Sequence, residues 1–263
     1  MKPHGRILLP VAILVSAACF ANKQEDPLNY SVEIKNFTSL IFTQKETVYH
    51  LYSDSGKFAP PSTPFQKTKD ITPQGSAGKK IEVTAGDFSA ETDDADTRPF
   101  TEDTMLLNIN SPEVKQLAAQ IKAKNNLPRI TEKFVCNYIT NKFTGIPIVS
   151  AKSIIENRGG DCTEHAVLLI ALLRSMGIPA RAVVGMIVTP YFKGKEDSFI
   201  FHMWVEAYYD KRWNLLDATR PGDIHPNLYI AFAYHNLRTN FPLSYMKAVA
   251  TIQNMTAQYS SGK

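Results

Sequence analysis

The most informative segment of this chain reads Gly160-Asp161-Cys162-Thr163-Glu164-His165-Ala166. It comes directly before residues 167–173, which are all apolar and therefore predict a helix buried in the centre of a domain. A strand-like segment at residues 201–207 contains His202, and Leu216-Asp217-Ala218-Thr219 follows it. A thiol, an imidazole and a carboxylate in this chain order are the components of an acyl-transfer site.

The position of Cys162 at the start of a predicted helix is suited to nucleophilic chemistry. A cysteine reacts as the thiolate, and a free thiol is mostly protonated at neutral pH. A helix start presents unpaired N–H groups and a partial positive charge, which both favour an anion. The backbone N–H of Cys162 is also a candidate donor to a developing oxyanion. Taken singly, Cys162 fits simple packing, His202 a structural role and Asp217 a turn cap.

The geometry of the second strand pair decides whether the imidazole and the carboxylate meet. His202 and Trp204 share one face of their strand, because side chains alternate along it. If Asp210-Lys211 forms a two-residue hairpin loop, Trp204 opposes Asp217, and Asp217 lies one diagonal step from His202. Diagonal neighbours are within side-chain reach, so Asp217 can orient the ring. A three-residue loop without a bulge would turn Asp217 to the other face.

The remaining helix and strand signals predict an α+β fold with a central helix packed on an antiparallel sheet. Three helices precede the one at Cys162: the first is capped by Ser111, the second is capped by Thr131 after a break at Pro128, and the third runs from Ser150 to Gly159-Gly160. The helix at Cys162 stops at Met176-Gly177-Ile178-Pro179. Strands are predicted at residues 182–188, 199–209 and 212–217, and residues 188–198 are predicted as a loop beside the cleft.

The first 21 residues have the pattern of a signal peptide. Lys2 and Arg6 are followed by a largely apolar run to Ala21 that is too short to span a bilayer. Two forms of cleavage remain open. One is an ordinary cut after Ala18 or Ala21, and the other is lipidation of Cys19, since Ser16-Ala17-Ala18-Cys19 resembles a lipoprotein box. The prediction is therefore a periplasmic, membrane-anchored or secreted protein.

Composition and charge argue against several other classes. The formal net charge is +4 with both signs interspersed and no basic stripe, so no nucleic-acid partner is expected. Cys136 lies on the apolar side of a helical pattern and is predicted to be a small core residue without a disulfide bond to Cys162. A zinc site at Cys162, His165 and His202 lacks a fourth ligand, so no cofactor or metal is predicted.

Four blocks of sequence resemble the core of the transglutaminase-like domain, a superfamily related to papain-like cysteine proteases and peptide N-glycanases. The blocks are Gly159–Ala166, Gly177–Arg181, His202–Glu206, and Trp213 with Asp217-Ala218-Thr219. The resemblance implies that Cys162 is the nucleophile, His202 the general base and acid, and Asp217 the orienting carboxylate. It also implies a supporting role for His165 and a second oxyanion donor upstream of the cysteine, which we expect between Tyr138 and Thr144.

The resemblance and the patterns described above together predict the domain organisation. Residues 1–21 are the signal segment, residues 22–100 an accessory region with short strands and a linker, residues 101–245 the transglutaminase-like catalytic domain, and residues 246–263 a C-terminal tail. The expected function is acyl transfer on amide bonds of a peptide or protein, through a thioester that water or an amine resolves. The alternative is a catalytically idle binding module of the cell envelope that retains the fold.

Overall fold

The computed structural model describes residues 31–91, 95–121, 125–142, 148–192, 194–238, 251–252 and 255–260. The predicted signal segment and Cys19 lie outside these residues. The strands are β1 Ser31–Lys35, β2 Thr47–Ser53, β3 Gln66–Asp70, β4 Lys79–Ala85, β5 Ala180–Phe192, β6 Lys195–Tyr209, β7 Arg212–Leu216, β8 Tyr229–His235 and β9 Met255–Ser260. The α-helices are α1 Pro112–Ala118, α2 Leu127–Tyr138, α3 Ala151–Asn157 and α4 Cys162–Ser175. Across the described ranges, none of the helices has the length and apolar character needed to cross a membrane.

The strands form one sheet in the order β3-β4-β2-β9-β1-β6-β5-β8, with β7 also paired to β6. Neighbouring strands are antiparallel except β1 and β9, which are parallel, so the sheet is mixed. The two ends of this order approach each other. The Gln66 amide in β3 donates to the carbonyl of Ala231 in β8 at 2.9 Å and accepts from its N–H at 2.8 Å. The sheet therefore curls, and this side chain links its first and last strands.

The accessory region and the predicted tail both contribute strands to this sheet. β1 pairs with β6 of the predicted catalytic domain, and β9 from the tail lies between β1 and β2. β9 was not predicted from the sequence, and only Met255 and Ala257 of its six residues are buried. β3 was not predicted either, because this edge strand consists of polar and charged residues (Gln66–Asp70).

The prediction of a loop at residues 188–198 is wrong. β5 continues to Phe192 and β6 begins at Lys195, and the two strands pair through this region, with Val188 opposite Phe199 and Tyr191 opposite Glu196. Gly194 has φ +82°, a left-handed conformation that suits the tight turn between the two strands. The connection is therefore a long β-hairpin.

Two of the predicted helix starts are confirmed. The Ser111 hydroxyl accepts a hydrogen bond from the N–H of Val114 at 3.3 Å, and the Ser150 hydroxyl accepts from the N–H of Ser153 at 3.3 Å. Pro112 occupies the first position of α1, where its missing N–H costs nothing. Both α1 and α3 pack against α4.

Two other helix boundaries differ from prediction. Pro128 lies in the first turn of α2 and does not break the pattern, because the N–H groups of a first turn have no partner within the helix. Thr131 is therefore inside α2, where its hydroxyl donates to the carbonyl of Leu127 at 2.8 Å. α3 ends before Gly159-Gly160, since Arg158 adopts the left-handed cap conformation at φ 50°.

α4 is the central helix, as its sequence predicted. Residues 163–174 are buried throughout, between the sheet strands β5 and β6 and the other helices. Gly177 follows the end of the helix at φ +80°, a conformation typical of glycine after a helix. Cys162 is the first residue of this buried helix and lies next to His202 of β6, where the helix meets the sheet.

Candidate active site

The hairpin between β6 and β7 has the predicted register. Asp210 and Lys211 form the two-residue loop, both with positive φ (52° and 58°), as in the type I′ turns that suit hairpins. Val205 pairs with Leu216, so the next pair outward sets Trp204 against Asp217. The carboxylate therefore emerges on the same face as His202.

His202 and Asp217 are in direct contact, with Nε2 and Oδ2 2.7 Å apart. Both side chains are buried, at 8% and 1% exposure. Asp217 accepts three more hydrogen bonds: from the Thr219 N–H (2.9 Å) and hydroxyl (2.6 Å) at Oδ1, and from the Tyr229 hydroxyl (2.9 Å) at Oδ2. Burial alone would raise the pKa of Asp217, but the charge of His202 and the bonds from His202 and Thr219 hold it well below its ordinary value. Asp217 is therefore a fixed carboxylate.

The imidazole of His202 connects this carboxylate to the thiol. Burial lowers the pKa of His202, but the charge and hydrogen bond of Asp217, with a smaller contribution from its hydrogen bond to Cys162, raise it to about 10. Because Nε2 is engaged by Asp217, Nδ1 is the ring nitrogen left for the sulfur. The structure thus brings together all three residues that the sequence singled out, and it favours a protonated ring next to the thiol.

The start of α4 holds Cys162 in place by a reciprocal cap. The Asp161 carboxylate accepts from the N–H of Thr163 at 2.9 Å, and the Glu164 carboxylate accepts from the N–H of Asp161 at 3.0 Å. Burial, followed by the charge of Asp161, raises the pKa of Glu164 to about 7. Gly160 has φ +151°, and a Cβ there would lie 2.2 Å from Cβ of Glu164, so only glycine fits before the cap.

His165 lies one turn along α4 from Cys162, and both its ring nitrogens are engaged. Nε2 is 2.8 Å from Nζ of Lys142, and Nδ1 is 2.5 Å from the carbonyl oxygen of Asp161. An ammonium only donates, so Nε2 accepts and Nδ1 carries the proton. Burial is the main cause that lowers the pKa of His165, and the charge of Lys142 adds to it, whereas the hydrogen bond to Asp161 raises it. Throughout the described ranges, no group of three or more His, Cys, Asp or Glu side chains is placed to hold a metal ion.

The segment expected to supply a second oxyanion donor lies beside the start of α4. Its described part ends at Lys142, and residues 143 and 144 lie outside the described residues. Asn141 forms a parallel bridge with Gly159, and its carbonyl accepts from the N–H of Gly160 at 2.9 Å. The placement agrees with the expected region, and an oxyanion role for any of its side chains stays a prediction.

Aromatic side chains enclose the His202 ring. The Trp204 indole stacks near it, with centroids 6.1 Å apart and planes at 19°, and Tyr229 lies at 6.2 Å. Further along β6, Glu206 accepts from Arg181 at 2.7 Å. The guanidinium of Arg181 in turn lies over the ring of Trp213 at 3.8 Å. His202, Trp204 and Glu206 are all buried on this side of the site.

Two residues around Asp217 were missed by the sequence analysis. Tyr229 donates to its side chain, and Glu132 of α2 accepts from its backbone N–H with Oε1 at 2.6 Å. Neither residue lies in a motif. The one available signal was a glutamate next to Thr131 in an otherwise amphipathic helix, and this could not indicate its partner across the fold.

Residues 115–218 match the family model of the transglutaminase-like superfamily, and the fold and the site agree with that match. That range contains Cys162, His202 and Asp217, and the chain has the α+β fold that the resemblance implied. At a coarse level, the match supports a cysteine-type enzyme.

Solved structures with similar folds include a candidate cysteine protease from Cytophaga hutchinsonii, with 15% identity, 89% of this chain and 86% of that chain covered, and a TM-score of 0.49. The periplasmic domain of TgpA from Pseudomonas aeruginosa matches at 15% identity, with 74% and 91% covered and a TM-score of 0.44. A transglutaminase from red sea bream matches at 10% identity, with 70% of this chain and 47% of that chain covered and a TM-score of 0.34. No curated protein sequence matches this chain.

Proposed function

We propose that this chain is a thiol-dependent acyl-transfer enzyme that acts on amide bonds of peptides or proteins. Cys162 is the nucleophile, His202 the general base and acid, and Asp217 the carboxylate that orients the imidazole. The observation that carries the proposal is the Nε2–Oδ2 contact of 2.7 Å between His202 and a fully hydrogen-bonded Asp217. This contact leaves the other ring nitrogen for the thiol.

The proposed reaction has two steps. The sulfur of Cys162 attacks the carbonyl carbon, and the carbonyl electrons move onto oxygen, towards the backbone N–H of Cys162 at the helix start. When the C–N bond breaks, protonated His202 gives its proton to the departing amine, and a thioester remains. In the second step, His202 takes a proton from water or from an amine as it attacks. The sulfur then leaves with an acid or a new amide as product.

The test is turnover of a panel of peptide amides, with and without a primary amine as acceptor, read by mass spectrometry. Cys162→Ala should abolish both product formation and the acyl adduct while the protein keeps its circular dichroism spectrum. Cys136→Ala, which removes the half-buried cysteine of α2, is the matched control and should retain turnover. Normal turnover by a folded Cys162→Ala protein would refute the mechanism. A Cys162 thiol no more reactive than a free one would favour the idle binding module.

We also propose that the protein acts outside the cytoplasm. The support is the pattern of residues 1–21, with basic residues followed by an apolar run and small residues. If Cys19 is lipidated, Cys19→Ala should move the protein from the membrane fraction to the soluble fraction. The mass of the mature N-terminal peptide then distinguishes lipidation from an ordinary cut after Ala18 or Ala21. An N-terminal peptide that begins at Met1 or Lys2 would contradict export.

A further inference from the structure

We propose that Glu132 is a positioning residue for the His202–Asp217 pair, acting through the backbone N–H of Asp217. This proposal rests on the thiol chemistry proposed above. Its central observation is the 2.6 Å hydrogen bond from that N–H to Oε1 of Glu132. The paired part of β7 ends at Leu216, so the amide of Asp217 bonds to a side chain of α2 at the point where the strand pairing stops.

Oε1 of Glu132 makes a short contact with the Asp217 N–H, at 2.6 Å, and a longer one with Arg129, at 3.3 Å. The Glu132 side chain is 1% exposed, whereas Arg129 is 34% exposed and lies 3.3 Å from Oε1. A half-exposed arginine is well solvated without a partner, so the ion pair alone gives little reason to bury a carboxylate. Burial is the main cause that raises the pKa of Glu132, and the charge of Asp217 adds to it. The hydrogen bond from the Asp217 N–H and the charge and hydrogen bond of Arg129 lower the same pKa, so both partners offset the burial of Glu132.

The position of α2 explains why this hydrogen bond bears on the nucleophile as well. α2 packs against α4, which carries Cys162. Just beyond the end of α2, Asn141 accepts from the N–H of Gly160 at 2.9 Å. One stretch of chain therefore touches the segment before the nucleophile and the residue that orients the imidazole. Glu132 sets the position of the end of β7 relative to α4. It thereby sets the position of the His202 imidazole relative to the sulfur of Cys162.

Two substitutions of Glu132 separate the effect of side-chain length from the effect of side-chain charge. Glu132→Gln keeps a carbonyl oxygen at the same distance and removes the charge. Glu132→Asp keeps the charge but shortens the side chain by one C–C bond, about 1.5 Å, and so withdraws the acceptor from the 2.6 Å contact. The control is Glu113→Asp on α1, another helix glutamate with a cationic partner, whose Oε1 lies 2.9 Å from Nζ of Lys152 away from the site.

The rate of Cys162 alkylation by iodoacetamide near neutral pH is the first measurement. We expect Glu132→Asp to lower this rate about tenfold. The reason is that a displacement of the His202 imidazole by even a fraction of about 1 Å can reduce a reaction rate by a factor of this size. Glu132→Gln should remain within about threefold of the parent chain, and Glu113→Asp should match it. A purely structural role would lower the melting temperature of Glu132→Asp and leave the rate unchanged. Equal rates in the parent and Glu132→Asp, or a loss in Glu132→Gln as large as in Glu132→Asp, would overturn the proposal.

Nuclear magnetic resonance makes the inference testable apart from the proposed function. The amide proton of Asp217 should resonate far downfield in the parent chain and move upfield in Glu132→Asp. The Nε2 proton of His202 should exchange with water faster in that variant, because its acceptor is less well held. If the thiol is unreactive in every form, the proposed function fails, and these two signals decide the role of Glu132. Unchanged signals in Glu132→Asp would overturn it.

Discussion

Replacing Asp217 by asparagine removes the charge that sustains the protonated imidazole and leaves the side-chain shape. Asp217 is the main group that raises the pKa of His202, to about 10 from an ordinary 6.5, against the lowering effect of burial. Without the charge, burial is no longer offset, and we expect the pKa of His202 to fall by at least about 2 units. Each unit is a factor of ten in the ratio of the thiolate–imidazolium pair to the neutral pair.

The expected magnitude is therefore a loss of at least about 100-fold in this ratio, or about 3 kcal/mol. The sign follows from the raised pKa: His202 keeps its proton until the pH rises through about 10 in the parent chain, and it loses the proton at a lower pH in Asp217→Asn. Alkylation of Cys162 near neutral pH should then be slower in Asp217→Asn, and turnover should fall with it.

The assay is the rate of iodoacetamide labelling of Cys162 across the pH range, read by peptide mass spectrometry. Asp223→Asn is the matched control, because Asp223 and His225 form a second histidine–carboxylate pair, 3.4 Å apart and exposed. We expect the control to label as the parent does. A pH profile of Asp217→Asn that overlays the parent's, in a folded protein, would refute the assignment of Asp217.

Three further predictions concern the surroundings of the triad. Gly160→Ala should lower the free energy of unfolding by about 2 kcal/mol or more in urea titration, because its Cβ would meet Glu164; an unchanged midpoint would contradict this. Tyr229→Phe should cost about 1–2 kcal/mol in the same assay, since it removes a donor to buried Asp217, whereas a neutral effect would show that this bond contributes nothing. Lys142→Met should raise the pKa of His165 in an NMR titration, because it removes the positive charge 2.8 Å from Nε2. An unchanged pKa of His165 would show that this contact is absent.

The contact between His202 and Asp217 was predictable, because a two-residue hairpin loop fixes which residues of the two strands lie opposite each other. Once Asp210 and Lys211 form the turn, side-chain alternation places the carboxylate on the face of the imidazole. The position of Cys162 was equally local, since the cap at Asp161 and the apolar run after it mark the start of α4. These features depend on short stretches of chain, where period and capping residues carry the information.

The parts that were missed depend on contacts between distant segments. Glu132 reaches Asp217 across 85 positions in the chain, and no local pattern indicates that pairing. β9 joins the sheet through backbone hydrogen bonds to β1 and β2, which any sequence can form, so its own residues gave little signal. The start of α2 was misplaced for a different reason, because Pro128 can either end a helix or begin one.

Cys162 is proposed to be an activated thiol, and Cys136 in the same chain provides the reference. Both cysteines are free and partly buried, but only Cys162 lies at a helix start beside His202. The most direct measurement is the ratio of their iodoacetamide labelling rates at about pH 6, where a free thiol is almost fully protonated. We predict that Cys162 is labelled at least about tenfold faster. Equal rates in the folded protein, or faster labelling of Cys136, would contradict the account.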